Sequence, residues 1–238
     1  MVSGVIPSSD RFLADHGWLR SYHLFSFADY FDPENVSFGN LRVFNDDRID
    51  PYSGFPMHPH RDMEIVTLVL SGTVTHADTM GNRGRVGAGE VQRMSAGVGV
   101  FHSEENADPE PLHLYQIWIQ PGSLGQVPSY GQRGFPAKKN QIQPLVSGRG
   151  HEGAIPFAAD AVVSRGDFDI DMEVTVPVED GRGIFVYVTE GTISVDGSIL
   201  RSGDQLRHAS PGMLSLHVSP ETQFVLIDVK LSLVDDAQ

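Results

Sequence analysis

The run Gly54-Phe-Pro-Met-His58-Pro-His60-Arg-Asp-Met-Glu64 carries two histidines at i and i+2. In an extended strand alternate side chains share a face, so His58 and His60 point the same way, with Cα atoms about 6–7 Å apart. Imidazoles at that separation both reach one metal ion through bonds of roughly 2.0–2.1 Å. Forty-two residues after His60 comes Phe101-His102-Ser-Glu104, a second i, i+2 pair of good ligands. Turn signals at Gly72, Gly81-Asn82, Gly84, Gly87-Ala-Gly89, Gly97 and Gly99 separate the pairs and let the later strand fold back beside the first. Either pair alone reads as ordinary polar side chains. Together they predict a metal centre in which His58, His60, His102 and Glu104 converge inside a barrel. Glu64 shares the face of His60 in a regular strand, but its Cα would be roughly 13 Å away. It is expected outside the coordination sphere, orienting a histidine, unless a bulge brings it in.

The elements that must position these residues are strands. The 25 glycines and 15 prolines punctuate short runs rich in Val, Ile, Thr and Phe. Glu64–Leu70, Leu112–Ile119, Gly183–Thr189 and Gln223–Val229 have strand lengths and β-branched or aromatic bias. No long stretch has a 3.6-residue stripe, apart from a turn or two near Ser26–Tyr30. The expected class is all-β, sandwich or barrel. A weak repeat divides the chain. Ser71-Gly-Thr-Val74, Gly89-Glu90 and Ser95-Ala-Gly97 recur as Glu190-Gly-Thr-Ile193, Gly203-Asp204 and Ser210-Pro-Gly212, at offsets of 119, 114 and 115. Two copies of one β-barrel unit produce such a pattern. The stretch from Pro121 to Pro156 reads as the linker region.

Composition sets limits. The 238 residues are 40% hydrophobic and 20% charged, enough for a full core and too apolar for a disordered chain. There is no cysteine, which excludes disulfides, thiolate catalysis and Cys-ligated metals. The net charge of −14 disfavours direct contact with nucleic acid or an anionic membrane. No apolar run is long enough to span a membrane, and the first residues lack a signal-peptide core, so a cytoplasmic protein is expected.

The sequence resembles the pirin family within the cupin superfamily, especially bacterial pirin-like proteins assigned quercetin 2,3-dioxygenase activity. The resemblance is carried by His16-Gly-Trp18, His23-Leu-Phe-Ser-Phe27, Asn45-Asp-Asp47, the His58–Glu64 run, Asp78-Thr-Met-Gly-Asn82, Met94-Ser-Ala-Gly97, His102-Ser-Glu104 and Leu112-His-Leu-Tyr-Gln-Ile-Trp118. It is specific over about residues 10–120 and only general after Gly150. It implies a bicupin: a metal-binding cupin domain over 1–140 and a degenerate one without metal over 141–238. The ligands it implies are His58, His60, His102 and Glu104, in agreement with the spacing. The general cupin pattern instead places its carboxylate after the first His pair, which keeps Glu64 in question. Fe²⁺ is the expected ion, and Mn²⁺, Ni²⁺, Cu²⁺ and Zn²⁺ also suit imidazole and carboxylate ligands. The implied activity cleaves the central ring of a quercetin-like flavonol with O₂ and releases carbon monoxide. Glu104 is the expected base for the substrate hydroxyl. The alternative is a metal-bearing regulatory protein acting through a protein partner. A monomer is expected.

Shifted by the repeat offsets, the four ligand positions fall on Pro177, Glu179, Leu216 and Val218, so the second copy has lost its site. His208 and His217 are expected to be structural. His16 and His23 are expected to anchor the N-terminal segment, and His76 and His151 to be exposed. His113 either lines the metal pocket or faces solvent. Phe55, three residues before His58, is the favoured ring-stacking wall.

Overall fold

The computed structural model describes residues 4–232. The outermost residues of the two expected units, 1–3 and 233–238, lie outside the described part. Among the described residues the single helix is one 3₁₀ turn, Ser8–Asp10, and everything else regular is strand. Ser26–Tyr30 forms no helix but a turn closed by an isolated bridge between Phe27 and Tyr30. Among the described residues no helix is long and apolar enough to cross a membrane.

Two barrels repeat one topology. The first pairs a seven-stranded sheet with a four-stranded one. The long sheet runs Ser129–Gly134, Glu90–Ser95, Glu64–Ser71, Leu112–Ile119, Leu41–Ile49, Leu19–His23, Phe12–Asp15. The short sheet runs Ser53–His60, Val100–Asn106, Thr73–Asp78, Arg83–Gly87. The second barrel repeats this, with Gln205–His208, Arg182–Glu190, Thr222–Lys230 and Ala161–Phe168 at the centre of its long sheet. Its short sheet runs Met172–Val178, Gly212–Val218, Thr192–Val195, Ser198–Arg201. The sequence repeat falls on equivalent turns. Gly72 and Gly191 join matching hairpin strands at φ of 78° and 79°, where an added Cβ would strike backbone in both cases.

Pro121–Pro156 is not a loose linker. Ser129–Gly134 completes the edge of the first long sheet, and Gln141–Ser147 and Ile155–Pro156 complete that of the second. Conversely, Gly4–Ile6 pairs with Gln205–His208, so the N-terminal segment adds a strand to the far barrel. Gly and Pro mark breaks between strands here, not a boundary between domains.

The long sheets pack against each other, which explains the apolar runs. In Glu64–Ser71, Val66 and Leu68 enter a core shared with Phe185, Tyr187, Val225 and Ile227 of the second barrel. Ile65 and Val69 join clusters within the first barrel. With both faces covered, alternation of apolar and polar residues disappears. In the second barrel the interior is filled by Ile193, Leu214, Leu216, Val218 and Phe224, so the shifted ligand positions Leu216 and Val218 are core. His208 sits beside the Ser210 carbonyl, and His217 is half-exposed between Asp171 and Glu173.

Candidate metal centre

His58 and His60 come from the Ser53–His60 strand, and His102 and Glu104 from the neighbouring antiparallel strand Val100–Asn106. His102 lies directly opposite His58, but Glu104 lies opposite Phe55, so the Pro56-Met57 stretch is bulged. A bulge of this kind bends the strand and re-aims its side chains. Donor nitrogens of His58, His60 and His102 lie within 4.8 Å of one another. Their ring centroids are 4.5–4.8 Å apart. His58 donates from Nδ1 to the Pro56 carbonyl at 2.7 Å, which leaves Nε2 for the cavity.

Burial, followed by neighbouring imidazoles, pushes the His60 pKa down to about 4 and that of His102 to about 3. Near pH 7 both rings are therefore neutral, with lone pairs available to a cation. His102 is fully buried, yet neither ring nitrogen has a hydrogen-bond partner.

Glu104 is held by residues of the facing sheet. Gln92 Nε2 donates to Oε1 and Gln116 Nε2 to Oε2, each at 2.6 Å. Thr67 Oγ1 lies 3.1 Å from both Glu104 Oε1 and Gln116 Oε1, and its one proton serves either. Glu104 also forms a second close group, with His76 and His102. His102 thus belongs to both groups.

The histidines and Glu104 line a cavity of about 160 Å³ together with Phe27, Phe55 and Trp118. Asn45, Asp47 and Gln116 complete its polar wall. Among the described residues eleven buried side-chain polar atoms lack a partner, and five of them belong to lining residues: two on His102 and one each on Asn45, Asp47 and Trp118. Such groups cluster where an ion or ligand is due, so this donor set fits a divalent cation. Burial, with help from the charges of Asp46 and Glu104, raises the Asp47 pKa to about 7.

Phe55 is a wall of this cavity, as the sequence suggests, and packs edge-on against Trp18. Glu64 is in neither histidine group and orients no histidine. It accepts hydrogen bonds from Ser95 Oγ at 2.7 Å and from the Ala158 amide at 3.2 Å, on the side turned toward the second half of the chain. His76, expected to be exposed, is fully buried: Nε2 is 3.2 Å from Asp78 Oδ2 and the ring stacks on Tyr130. His113 does not line the metal pocket but is half-buried in an open cleft on the other face of the sheet. It shares strand parity with Tyr115 and Ile117, on the face toward the second barrel, and its Nε2 lies 2.7 Å from Asp46 Oδ1. Thr67, Gln92, Gln116 and Asp47 were missed from sequence. Their signal is a polar residue at inward parity inside an apolar strand, as Thr67 is in Glu64-Ile-Val-Thr-Leu-Val-Leu70.

Twin barrels of one topology, one lined with histidines and the other filled with apolar side chains, define a bicupin. Comparison with known proteins agrees. A family profile described as Pirin matches residues 7–119, and one described as Quercetinase C-terminal cupin domain matches 144–229. A quercetin 2,3-dioxygenase of Escherichia coli is 40% identical, covering 93% of this chain and 96% of its own. A pirin-like protein of Caulobacter vibrioides is 40% identical over 90% of this chain and 94% of its own. The crystal structure of a bacterial pirin from E. coli in complex with nickel(II) superposes with a TM-score of 0.91 at 38% identity, covering 96% of this chain and 99% of that one. The chain belongs to the pirin family.

Proposed function

We propose that the protein is a metal-dependent dioxygenase that cleaves the central ring of quercetin-like flavonols with O₂ and releases carbon monoxide. The observation that carries this reading is the convergence of three imidazoles beside Glu104 in a cavity walled by Phe27, Phe55 and Trp118. The name of the E. coli relative supports it. His58, His60, His102 and Glu104 are the ligands in this reading, and Fe²⁺ is the first choice of ion. Mn²⁺, Ni²⁺, Cu²⁺ and Zn²⁺ also suit such ligands. The bound cation would supply Lewis acidity and open coordination positions for substrate and O₂.

The chain's own groups do the rest. Glu104 Oε2 accepts one hydrogen bond, from Gln116, and keeps a lone pair for the proton of the flavonol 3-hydroxyl. The two glutamine amides fix that carboxylate in place. Phe27, Phe55 and Trp118 offer ring faces and edges to a flat substrate and exclude water. At about 160 Å³ the cavity is smaller than typical ligand sites of roughly 300–1,000 Å³, so it encloses the reacting part of the flavonol and leaves the remainder at the mouth.

The test is aerobic turnover of quercetin by protein reconstituted anaerobically with Fe²⁺. Carbon monoxide should appear in step with quercetin loss and be absent from metal-stripped protein. Full metal loading without carbon monoxide would reject the enzyme reading and leave the alternative, a pirin-like regulatory protein using this site toward a protein partner.

A further inference from the structure

On the face of the long sheet turned away from the metal pocket, the two barrels leave a cleft of about 310 Å³. Arg11, Arg20 and Arg48 line it around the buried carboxylate of Asp46. Three guanidinium groups gathered about one carboxylate run against a chain of net charge −14. Strand register makes the concentration sharper. Arg20, Arg48 and His113 lie directly opposite one another on three adjacent strands. Like charges in such a row repel unless something of opposite sign lies over them.

Asp46 is already engaged. Its Oδ1 is 2.7 Å from His113 Nε2 and 3.4 Å from Arg48 Nη1. Its Oδ2 accepts from the Tyr187 hydroxyl at 2.9 Å and lies 3.6 Å from Arg11 Nη1. Arg20 has one further acid, the exposed Asp15 at 3.7 Å. Three guanidinium groups against the two carboxylates of Asp46 and Asp15 leave an excess of one positive charge.

Arg11 is built in place. Its Nε donates to the Ser8 carbonyl at 3.0 Å, Nη1 donates to the Tyr187 hydroxyl at 2.6 Å, and the guanidinium lies 4.2 Å over the Tyr22 ring. Gly203 gives it room, because a Cβ there would stand 3.0 Å from Arg11 Cζ. Among the described residues, the Nη2 groups of Arg11, Arg20 and Arg48 make no hydrogen bond. Preorganised guanidinium groups with spare donors recognise planar or tetrahedral oxyanions.

We propose that this cleft between the barrels binds a small organic anion through a carboxylate or phosphoryl group, held by Arg11, Arg20 and Arg48. The site is separate from the metal pocket and shares with it only the intervening sheet.

The experiment is calorimetric titration of the metal-loaded full chain, with inorganic phosphate and succinate as probes. At least one should bind saturably with a Kd below about 1 mM. The probe that binds more tightly identifies the group recognised. The double variant Arg20→Gln/Arg48→Gln, both partly exposed and free to fold, should weaken binding by at least about tenfold. Arg83→Gln, an exposed arginine on the outer strand of the first barrel's short sheet and not part of the cleft lining, should not. The His113 ring resonances should move during the titration. His102→Ala should bind the probe unchanged, because the cleft does not include the metal site. Failure of both probes to bind, equal affinity in the double variant, or loss of binding in His102→Ala would overturn the proposal.

Discussion

Asp46 and Asp47 are neighbours in one strand and face opposite sides of the sheet. Asp46 enters the cleft between the barrels, and Asp47 enters the metal pocket. Burial would raise the pKa of Asp46, but hydrogen bonds from His113 and Tyr187 and the charge of Arg48 hold it below the usual carboxylate range. For Asp47, burial and the charges of Asp46 and Glu104 outweigh the one lowering contact, with Ser21, and push it up to about 7. Asp46→Ala strands the buried Tyr187 hydroxyl and leaves Arg11 unpaired, so it should cost about 3–5 kcal/mol in denaturant unfolding. Its bound metal should be unchanged. Asp47→Asn should leave stability near or above wild type at pH 8, where burying that carboxylate as an anion is unfavourable. Equal destabilisation by the two variants would contradict the division of roles.

His23 makes acid stability testable. It is buried on the Leu19–His23 strand, and burial, then His16, lowers its pKa from 6.5 to about 4. Between those values the unfolded chain binds the extra proton and the folded chain does not. Stability from this group is complete above pH 6.5 and is lost as pH falls toward 4. His23→Gln should flatten that part of the stability curve, by up to about 3 kcal/mol. Wild-type and variant curves that run parallel from pH 7 to 4 would show that His23 is not the cause.

Glu104 and Glu64 should separate in kinetics. With metal content matched, Glu104→Gln should lose turnover by about 10²–10⁴-fold, because an amide accepts no proton from the substrate. Glu64→Gln disturbs Ser95 and the Ala158 amide, so its effect should appear in unfolding and not in turnover. The opposite pattern would transfer the base to Glu64.

The second barrel should be a packed body without an ion. Gly166 lies under the Phe224 ring, and an added Cβ would sit 2.2 Å from it. Gly166→Ala should cost about 1–3 kcal/mol by overpacking. Replacing His208 and His217 together should leave metal stoichiometry unaltered, as measured by elemental analysis.

The two histidine pairs were legible because period-2 alternation and glycine turns are local properties. The twin barrels were legible because the repeat falls on turns that demand positive φ, as at Gly72 and Gly191. What was not legible depends on which face of a strand meets which layer. His113 and Gln116 lie in one apolar run, yet one enters the cleft and the other the metal cavity. His76 looked exposed because its burial comes from Tyr130, a residue of the stretch read as linker. Glu64 lost its place near the histidines because the chain beyond Pro121 returns to supply the Ala158 amide.

In the function proposed above, His58, His60 and His102 form the core of one cation site. It is tested most directly by titrating metal-stripped protein with Ni²⁺ or anaerobic Fe²⁺ and measuring heat and bound ion. Wild type should take up one equivalent per chain. His102→Ala, with its β-sheet signature intact by circular dichroism, should take up none at the same concentration. One full equivalent bound by a folded His102→Ala variant would show that the cation is held elsewhere.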